Sequence, residues 1–232
     1  MPAFGSLLNV FFPPRCAVCR DFLAADTGLC PPCEGRWPSL SAPFCATCAM
    51  PFVSGPSHRC GDCFAEPPAF EKIYAAGLYE DFLLDLVVRL KYRGEERLAR
   101  LLGDRMATAL KDAPSFDVIL PVPLHAARLR ERGFNQAVLL ARRIGKKRGT
   151  EVDPFLLKKV RETPAQATLA RDERKKNVKG AFLVADAARI AGKRVLLVDD
   201  VATTGATLNE AAKILITSGA AGVEAAVAAR AA

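Results

Sequence analysis

One stretch near the C-terminus constrains the fold most, because it has the pattern of a strand, a loop and a helix in direct succession. Residues 195–198 are four consecutive apolar residues with a β-branched residue at each end, which is typical of a strand buried on both faces in a parallel sheet. Two acids, several hydroxyls and a glycine follow. Apolar residues then recur at helical spacing from Leu208 to Leu215, and Gly219 ends the pattern. The stretch predicts a strand–loop–helix unit of an α/β fold.

The loop of this unit is suited to bind an anion. Backbone N–H groups of a tight loop and of the helix that follows it converge on one point and carry positive partial charge, which favours phosphate. Threonine hydroxyls add donors, and Gly205 permits positive φ or a close approach to the anion. We expect a phosphate to be held by Ala202, Thr203, Thr204, Gly205, Ala206 and Thr207. The alternative is a solvated turn in which Thr203 or Thr204 is only a helix N-cap.

Two acidic residues, Asp199 and Asp200, stand between the strand and the loop. A carboxylate does not bind a phosphate, so beside an anion site these side chains are expected to accept hydrogen bonds from sugar hydroxyls or to hold Mg²⁺ with its waters. A phosphorylated sugar satisfies both expectations. The chain has no Gly-x-x-x-x-Gly-Lys-Ser/Thr sequence, which excludes an ordinary P-loop.

Residues 195–207 closely resemble the phosphoribosyl pyrophosphate signature of type I phosphoribosyltransferases, which is an apolar strand followed by two acids and a Thr/Gly-rich loop. The resemblance implies an α/β fold with a parallel sheet flanked by helices. It also implies that Asp199 and Asp200 are catalytic, that they hold the ribose 2′- and 3′-hydroxyls, and that they position Mg²⁺ through the substrate. The loop would then bind the 5′-phosphate of phosphoribosyl pyrophosphate (PRPP).

All eight cysteines lie in the first third of the chain, in four Cys-x-x-Cys pairs. Each pair can supply two thiolates from one tight turn, and two pairs complete a tetrahedral Cys₄ zinc site. We therefore predict two structural zinc ions in a small double zinc-ribbon module over residues 1–68. The predicted ligands are Cys16, Cys19, Cys30, Cys33, Cys45, Cys48, Cys60 and Cys63. Sequential pairing is the simplest arrangement, and the spacing leaves a crossed arrangement open.

Other uses of these cysteines fit the sequence less well. A disulfide framework is typical of exported proteins, whereas the N-terminal segment lacks basic residues and its short apolar run at 7–12 is closed by Pro13 and Pro14. A redox site needs one Cys-x-x-Cys pair rather than four. We expect a cytoplasmic protein without a membrane span. Pro67-Pro68 marks the predicted boundary, after which residues 69–232 form a phosphoribosyltransferase-like domain.

Apolar periodicity divides this second domain into strands and helices. Besides the strand at 195–198, strands are predicted at residues 73–79, 117–123, 182–184 and 223–229. Helices are predicted around residues 83–90 and 98–110 and from Phe134 onward. Ligands collect at the carboxyl ends of parallel strands, so the loop after Val122 is expected to face the loop after Val198. One loop would bind the ribose phosphate and the other the pyrophosphate.

Three further segments are similar to the ComF family, whose members carry a zinc ribbon before a phosphoribosyltransferase-like domain and are named for a role in competence and DNA uptake. The segments are Pro-Val-Pro-Leu-His at 121–125, Arg-x-Arg-Gly-Phe-Asn-Gln at 130–136 and Arg-x-Thr-x-x-Gln at 161–166, with Leu169, Arg174 and Asn177 beyond them. On the pyrophosphate side we expect Pro123, Leu124, His125, Arg130, Arg132, Lys91, Arg161 and Arg174. The acceptor stays open, because a fold does not determine a function.

These features support a Mg²⁺-dependent protein that binds PRPP and transfers or hydrolyses its phosphoribosyl group. The alternative is a non-catalytic protein of DNA uptake that senses PRPP and binds single-stranded DNA or a partner of the uptake machinery through its zinc ribbons and basic surface. The net charge of +8 favours anionic partners of either kind. A third hypothesis, a zinc-ribbon adaptor that has lost its ligand, conflicts with the intact acidic pair and phosphate loop.

Overall fold

The computed structural model describes residues 13–25, 28–162 and 178–232. Its main feature is a parallel sheet with helices on both faces. Along the chain the elements are α1 (Pro31–Glu34), α2 (Gly61–Ala65), β1 (Ile73–Ala75), α3 (Asp81–Tyr92), α4 (Arg97–Ala109), β2 (Val118–Pro121), α5 (Ala126–Arg132), α6 (Gln136–Arg148), β3 (Leu157–Lys159), β4 (Phe182–Val184), a 3₁₀ turn (Ala187–Arg189), β5 (Arg194–Ala202), α7 (Ala206–Thr217) and β6 (Gly222–Arg230).

The sheet has four strands in the order β1-β6-β5-β2, and every neighbouring pair is parallel. β5 lies between β2 and β6, where Val198 is opposite both Pro121 and Ala226. Its apolar run is continuous because both of its faces are covered. The carboxyl ends of β2, β5 and β6 therefore lie at one edge, which we call the carboxyl edge. The predicted α/β fold with a parallel sheet is confirmed.

Side chains alternate along β5 and divide the hydrophobic core into two parts, one on each face of the sheet. On the first face, Leu196 and Val198 pack with α3, α4 and α6. On the second face, Val195 and Leu197 pack with α7 and with strands β3 and β4. All four side chains are completely buried. Helices on both faces are what the continuous apolar strand requires.

The cysteine-rich segment contacts both parts of the core. We call residues 16–33 the first ribbon and residues 45–63 the second ribbon. Buried cysteines of the first ribbon belong to the core of the first face, and nearby Trp37 donates a hydrogen bond from Nε1 to Ala76 O at 2.9 Å. Buried cysteines of the second ribbon belong to the core of the second face, where Ile73 N donates to Thr47 O at 2.8 Å. The predicted boundary between residues 68 and 69 stays a prediction.

Several strands differ from their predicted form. β5 runs to Ala202 instead of ending at residue 198, so that Asp199 and Asp200 lie within the strand. β1 ends at Ala75 instead of residue 79, although residues 76–79 keep isolated hydrogen bonds to β6, such as Tyr79 N to Arg230 O at 2.9 Å, while Leu78 N donates to Pro38 O at 2.7 Å. β4 lies outside the main sheet and pairs antiparallel with β3. Phe182 is buried and Leu183 is exposed, as expected for a hairpin with one covered face. Within the described ranges, no helix is long and apolar enough to cross a membrane.

Candidate functional site

Residues 202–207, which we call the phosphate loop, have the backbone of an anion site at the carboxyl edge. Gly205 adopts a φ of 75°, in the left-handed region that favours glycine, and α7 begins at the next residue. The Oγ1 of Thr204 accepts a hydrogen bond from Ala206 N at 3.3 Å. Among the described residues, the N–H groups of Thr203, Thr204 and Gly205 have no hydrogen-bond partner. Such donors before a helix are available to a phosphate.

The acidic pair at the end of β5 is shielded from solvent and meets a lysine. Asp200 is only 3% exposed, and its Oδ2 lies 2.9 Å from Nζ of Lys91 at the end of α3. Asp199 is half-buried, and its Oδ1 accepts a hydrogen bond from Asp200 N at 2.8 Å. The structure thus brings Lys91 into the site, next to Asp199 and Asp200 rather than to solvent.

Burial controls the charge state of this pair. Burial and, to a smaller extent, the charge of Asp200 together raise the pKa of Asp199 to about 7, although Lys91 opposes the shift. Burial also acts to lower the pKa of Lys91, but the charges of Asp200 and Asp199 outweigh it and raise that pKa. Near neutral pH, Asp199 is therefore close to its titration midpoint beside a charged lysine. A carboxyl group in this state gains from any cation or hydroxyl donor that approaches it.

A second lysine, Lys159 of β3, approaches the acidic pair from the hairpin. Burial lowers the pKa of Lys159, the charge of Asp199 opposes this, and Arg128 and Arg161 lower it further. Lys159 thus lies within electrostatic range of one acid and two arginines. Sequence analysis missed it, because Lys158 and Lys159 are adjacent and nothing local separates them. The pairing of β3 with β4 leaves Lys158 exposed and half-buries Lys159.

Helix caps fix the loop that follows β2. His125 is the N-cap of α5, and its Nδ1 accepts a hydrogen bond from the backbone N–H two residues later at 3.4 Å. Gly133 ends α5 with a φ of 82°, where a glycine is favoured. Asn135 then caps α6 through Oδ1 at 2.9 Å, and its Nδ2 donates to Val122 O at 3.0 Å. The Gly-Phe-Asn motif therefore closes this connection onto the end of β2.

Arg132 joins the loop after β2 to the end of α3. One of its terminal nitrogens donates to Oε1 of buried Gln136 at 2.7 Å. Its guanidinium also lies over the ring of Tyr92, 5.1 Å from the centroid. Tyr92 follows Lys91, which contacts Asp200. The ends of α3, β2 and β5 consequently meet at one site, as expected from the carboxyl-end rule.

The remaining pyrophosphate-side candidates border this site in different ways. Pro123 and Leu124 are half-buried, and Arg130 is exposed. Nδ1 of His125 lies 3.9 Å from Oε2 of Glu162, and Arg161 donates to the carbonyl of Lys179 at 2.6 Å. Arg174 lies outside the described residues. Ligand contacts by any of these residues stay a prediction.

The eight cysteines form two groups that match sequential pairing. One group is Cys16, Cys19, Cys30 and Cys33, the other is Cys45, Cys48, Cys60 and Cys63, and in each group all sulfur atoms lie within 4.8 Å of one another. The sulfur atoms of Cys19 and Cys30 are 3.5 Å apart, and those of Cys48 and Cys60 are 3.7 Å apart. Tetrahedral zinc with bonds of about 2.3 Å separates its sulfur ligands by about 3.8 Å. Both groups fit zinc.

Backbone N–H groups prepare each ribbon for a cation. Cys48 N and Cys60 N donate to Sγ of Cys45 at 3.4 and 3.3 Å. Burial acts to raise the pKa of Cys45, but these backbone hydrogen bonds outweigh it and lower the pKa to about 6. The pKa of Cys16 in the first ribbon is lowered to about 6, again by backbone N–H groups and against burial. Each ribbon thus offers a thiolate at neutral pH, the form that binds metals.

Comparison with known proteins matches two separate parts of the chain to two known domains. The family model of the double zinc ribbon domain matches residues 7–64, and that of the phosphoribosyl transferase domain matches residues 99–232. Competence protein F of Haemophilus influenzae is 34% identical over 213 residues, which cover 88% of this chain and 92% of that protein. The chain belongs to the ComF family.

A second curated relative agrees with the ComF assignment. DNA utilization protein YhgH of Escherichia coli K12 is 31% identical over 220 residues, 91% of this chain and 95% of that protein. Among solved structures, glutamine PRPP amidotransferase from B. subtilis is 21% identical and covers 57% of this chain and 26% of that one, with a TM-score of 0.41. The ComF assignment rests on the family models and the curated relatives.

We predict two zinc ions per chain, held independently. Cys33→Ser in the first ribbon and Cys63→Ser in the second should each lower the zinc content to about one, because one of four ligands is lost. Each should also reduce the free energy of unfolding by about 2 kcal/mol or more, since structural zinc contributes folding energy. Native mass spectrometry measures the count, and exposed Ser54→Ala is the control. Loss of both ions from either single variant would contradict independent sites.

The raised pKa of Asp199 predicts a pH-dependent stability. The folded protein holds a proton on Asp199 that the unfolded chain has released above about pH 4, so this stabilising contribution is present below about pH 4 and is lost as the pH rises to about 7. Between pH 5.5 and 8, the wild-type protein should lose roughly 1 to 2 kcal/mol of unfolding free energy relative to Asp199→Asn.

Urea unfolding at both pH values measures this difference. Asp112→Asn is the matched control, because Asp112 is exposed and both variants keep the same zinc sites. Wild type and Asp112→Asn should show the same change with pH. Parallel curves for wild type and Asp199→Asn would show that the folded protein does not raise the pKa of Asp199.

Proposed function

We propose that this protein binds PRPP together with Mg²⁺ at the carboxyl edge of its sheet and transfers or hydrolyses the phosphoribosyl group. One observation carries the proposal: the N–H groups of Thr203, Thr204 and Gly205, which have no partner among the described residues, stand beside the desolvated acidic pair. An anion site next to a carboxylate pair suits a phosphorylated sugar. The phosphoribosyl transferase match over residues 99–232 supports the same reading.

The charges around the edge fit the two ends of such a ligand. Asp199 and Asp200 would accept hydrogen bonds from the ribose hydroxyls. Arg128 and Arg161 each repel the charge of Lys159, and a polyanion relieves such repulsion. The pyrophosphate group would therefore lie toward the β3–β4 hairpin, with the 5′-phosphate in the phosphate loop.

The reaction follows from these placements. The bond between the anomeric carbon and the pyrophosphate oxygen breaks, and pyrophosphate leaves with the bonding electrons. An acceptor nitrogen, or a water oxygen in hydrolysis, supplies the electron pair of the new bond and loses its proton to solvent. The ribose carries positive charge in the transition state, so carboxylates beside the ring and cations beside the leaving group lower the barrier. Asp199 and Asp200 provide the carboxylates, and Lys159 provides a cation.

The acidic pair also fits Mg²⁺ held jointly with the substrate. Mg²⁺ is usually bound by one or two carboxylates and by phosphate oxygens of the substrate. Asp199 would be the direct ligand, because a cation would favour the ionised form of a carboxyl group whose pKa is about 7, whereas Oδ2 of Asp200 already contacts Lys91. When bound, Mg²⁺ would neutralise charge on the pyrophosphate.

Binding of PRPP with Mg²⁺ should depend on Asp199 and Lys159. Ligand at 100 times its Kd should raise the unfolding free energy by about 2.7 kcal/mol, and Tm with it. Asp199→Asn should abolish this shift, and Lys159→Met should weaken affinity about tenfold or more because a charged contact is lost. Lys158→Met, on the exposed side of the same strand, is the matched control. Calorimetry without heat or Tm shift at millimolar ligand would refute the site.

Turnover separates an enzyme from a sensor. Pyrophosphate release is measured with a panel of nucleobases and amines, and with water alone as acceptor. Release that depends on Asp199 would establish a transferase or hydrolase. Tight binding of PRPP without release from any acceptor would favour the non-catalytic alternative, and absence of binding would favour an adaptor.

A second role, in handling DNA, is favoured by the relatives, which include a competence protein and a DNA utilization protein. Arg142 and Lys146 are exposed one turn apart on α6, and the chain carries a net charge of +8. Cations of this kind contact the phosphate backbone without reading the base sequence. We infer that α6 would bind single-stranded DNA, with docking of an uptake-machinery protein on the ribbons as the remaining alternative.

Salt dependence tests this second role. Arg142→Ala/Lys146→Ala should weaken binding to a single-stranded oligonucleotide and reduce the slope of log K against log salt by about 1.4, because each phosphate contact contributes about 0.7. Lys213→Ala, exposed on α7, should leave the slope unchanged. Fluorescence anisotropy between about 50 and 200 mM salt measures it. Affinity that does not vary with salt would contradict backbone binding.

A further inference from the structure

The last residue of β6 is a buried arginine that contacts three separate segments of the chain. Arg230 is only 2% exposed. Its guanidinium donates to the carbonyl of Ala202 at 3.1 Å and to the carbonyls of Thr203 and Ala231. Its Nε donates to the carbonyl of Cys48 at 2.7 Å. Nε thus serves the second ribbon, while one terminal nitrogen serves the phosphate loop and Ala231.

The charge of Arg230 is balanced by backbone oxygens alone. Its hydrogen bonds within the described part of the chain all go to carbonyl groups, and no carboxylate pairs with it there. A cation buried without a counter-ion is costly, since burial disfavours charge. That cost is reduced if an anionic ligand binds nearby. The phosphate loop, which Arg230 touches directly, is where such an anion is proposed to bind.

Arg230 also orients the donors of the loop. A trans peptide unit is planar, so its carbonyl and its N–H point in opposite directions. When the carbonyls of Ala202 and Thr203 turn toward the guanidinium, the N–H groups of Thr203 and Thr204 turn away from it, to the other side of the loop. These are two of the N–H groups that have no partner among the described residues. The arginine thus holds them ready for an anion.

The same side chain connects the loop to the second ribbon. Cys48, whose carbonyl accepts from Arg230, belongs to the second group of four thiols. The neighbouring Thr47 O accepts from Ile73 N of β1 at 2.8 Å. A zinc ion on Cys48 would fix the position of this turn, and with it the carbonyl that holds the guanidinium. The first ribbon packs on the other face of the sheet, and its described residues make no hydrogen bond to Arg230.

We propose that Arg230 is a positioning residue that presets the phosphate loop and makes its affinity for a sugar phosphate depend on zinc in the second ribbon. This inference rests on the proposed function. It assigns a role in ligand binding to one zinc site and not to the other. It also assigns to Arg230 an effect on the 5′-phosphate alone, because the pyrophosphate is expected at the β3–β4 hairpin.

The test uses ribose 5-phosphate as a probe of the phosphate loop and magnesium pyrophosphate as a probe of the pyrophosphate side of the site. Calorimetry on the full chain measures the affinity for each probe. Arg230→Met should weaken the affinity for ribose 5-phosphate about tenfold or more, which is within the range of measured couplings between sites. It should leave the affinity for pyrophosphate within about twofold of the wild-type value. Arg230→Lys keeps the charge but loses the planar guanidinium, so its affinity for ribose 5-phosphate should lie between those of wild type and Arg230→Met. Arg194→Met is the matched control, because Arg194 holds buried Glu224 at the opposite end of β5, at 2.7 Å.

The zinc sites provide a second, independent comparison. Cys63→Ser should weaken the affinity for ribose 5-phosphate at least about fivefold more than Cys33→Ser does. The zinc content of each variant is measured in parallel. This comparison, together with Arg230→Lys, decides the question even if Arg230→Met does not fold. Equal affinities of Arg230→Lys or Arg230→Met and wild type, or equal effects of the two cysteine variants, would overturn the inference and leave the proposed function intact.

Two other outcomes are also decisive. Parallel loss of both probes in the Arg230 variants would show a general structural role and overturn the inference. Failure of the wild-type protein to bind either probe would overturn the proposed function, and the inference with it.

Discussion

The candidate site depends on the pairing of β5 between two parallel neighbours. This pairing brings the ends of β2, β5 and β6 to one edge, and it places Asp199 and Asp200 where helices and the hairpin restrict water. Desolvation then sets the chemistry, because it raises the pKa of Asp199 and makes the contact between Asp200 and Lys91 stronger than it would be in solvent. The polar groups of the site are thus consequences of how the apolar part of β5 is buried.

The ribbons contribute to that burial and are not appendages. The first ribbon packs with α3, the helix that carries Lys91, and the second packs beneath β1 and the phosphate loop. Each ribbon contains few aliphatic side chains, so its own stability depends on metal. Loss of zinc would therefore expose parts of both cores. The geometry of the site and the metal content of the protein are linked through packing alone, before any specific contact such as that of Arg230 with Cys48 is considered.

Local patterns were sufficient to predict the parts of the structure that local forces determine. The unit from Val195 to Gly219 follows from its burial pattern, and the use of all eight cysteines in two metal sites follows from ligand spacing, which left sequential and crossed pairing open. Lys159 could not be recognised, because only the pairing of β3 with β4 decides that it turns inward while Lys158 does not. Arg230 could be noticed in the sequence only as a single charged residue at the end of an apolar strand. Its role depends on a contact with Cys48, 182 residues away in sequence.

The arrangement of charge also indicates why one ligand would need both halves of the site. An isolated anion in the phosphate loop would be favoured by the buried guanidinium of Arg230 but would bring no cation or hydroxyl donor to Asp199. An isolated cation at Asp199 would face Lys91 and Lys159, which repel it. A sugar that carries phosphate groups and arrives with a divalent cation brings hydroxyl donors, negative charge and positive charge together. Each component then lowers the electrostatic cost of the others, and such coupling between bound groups is necessarily mutual.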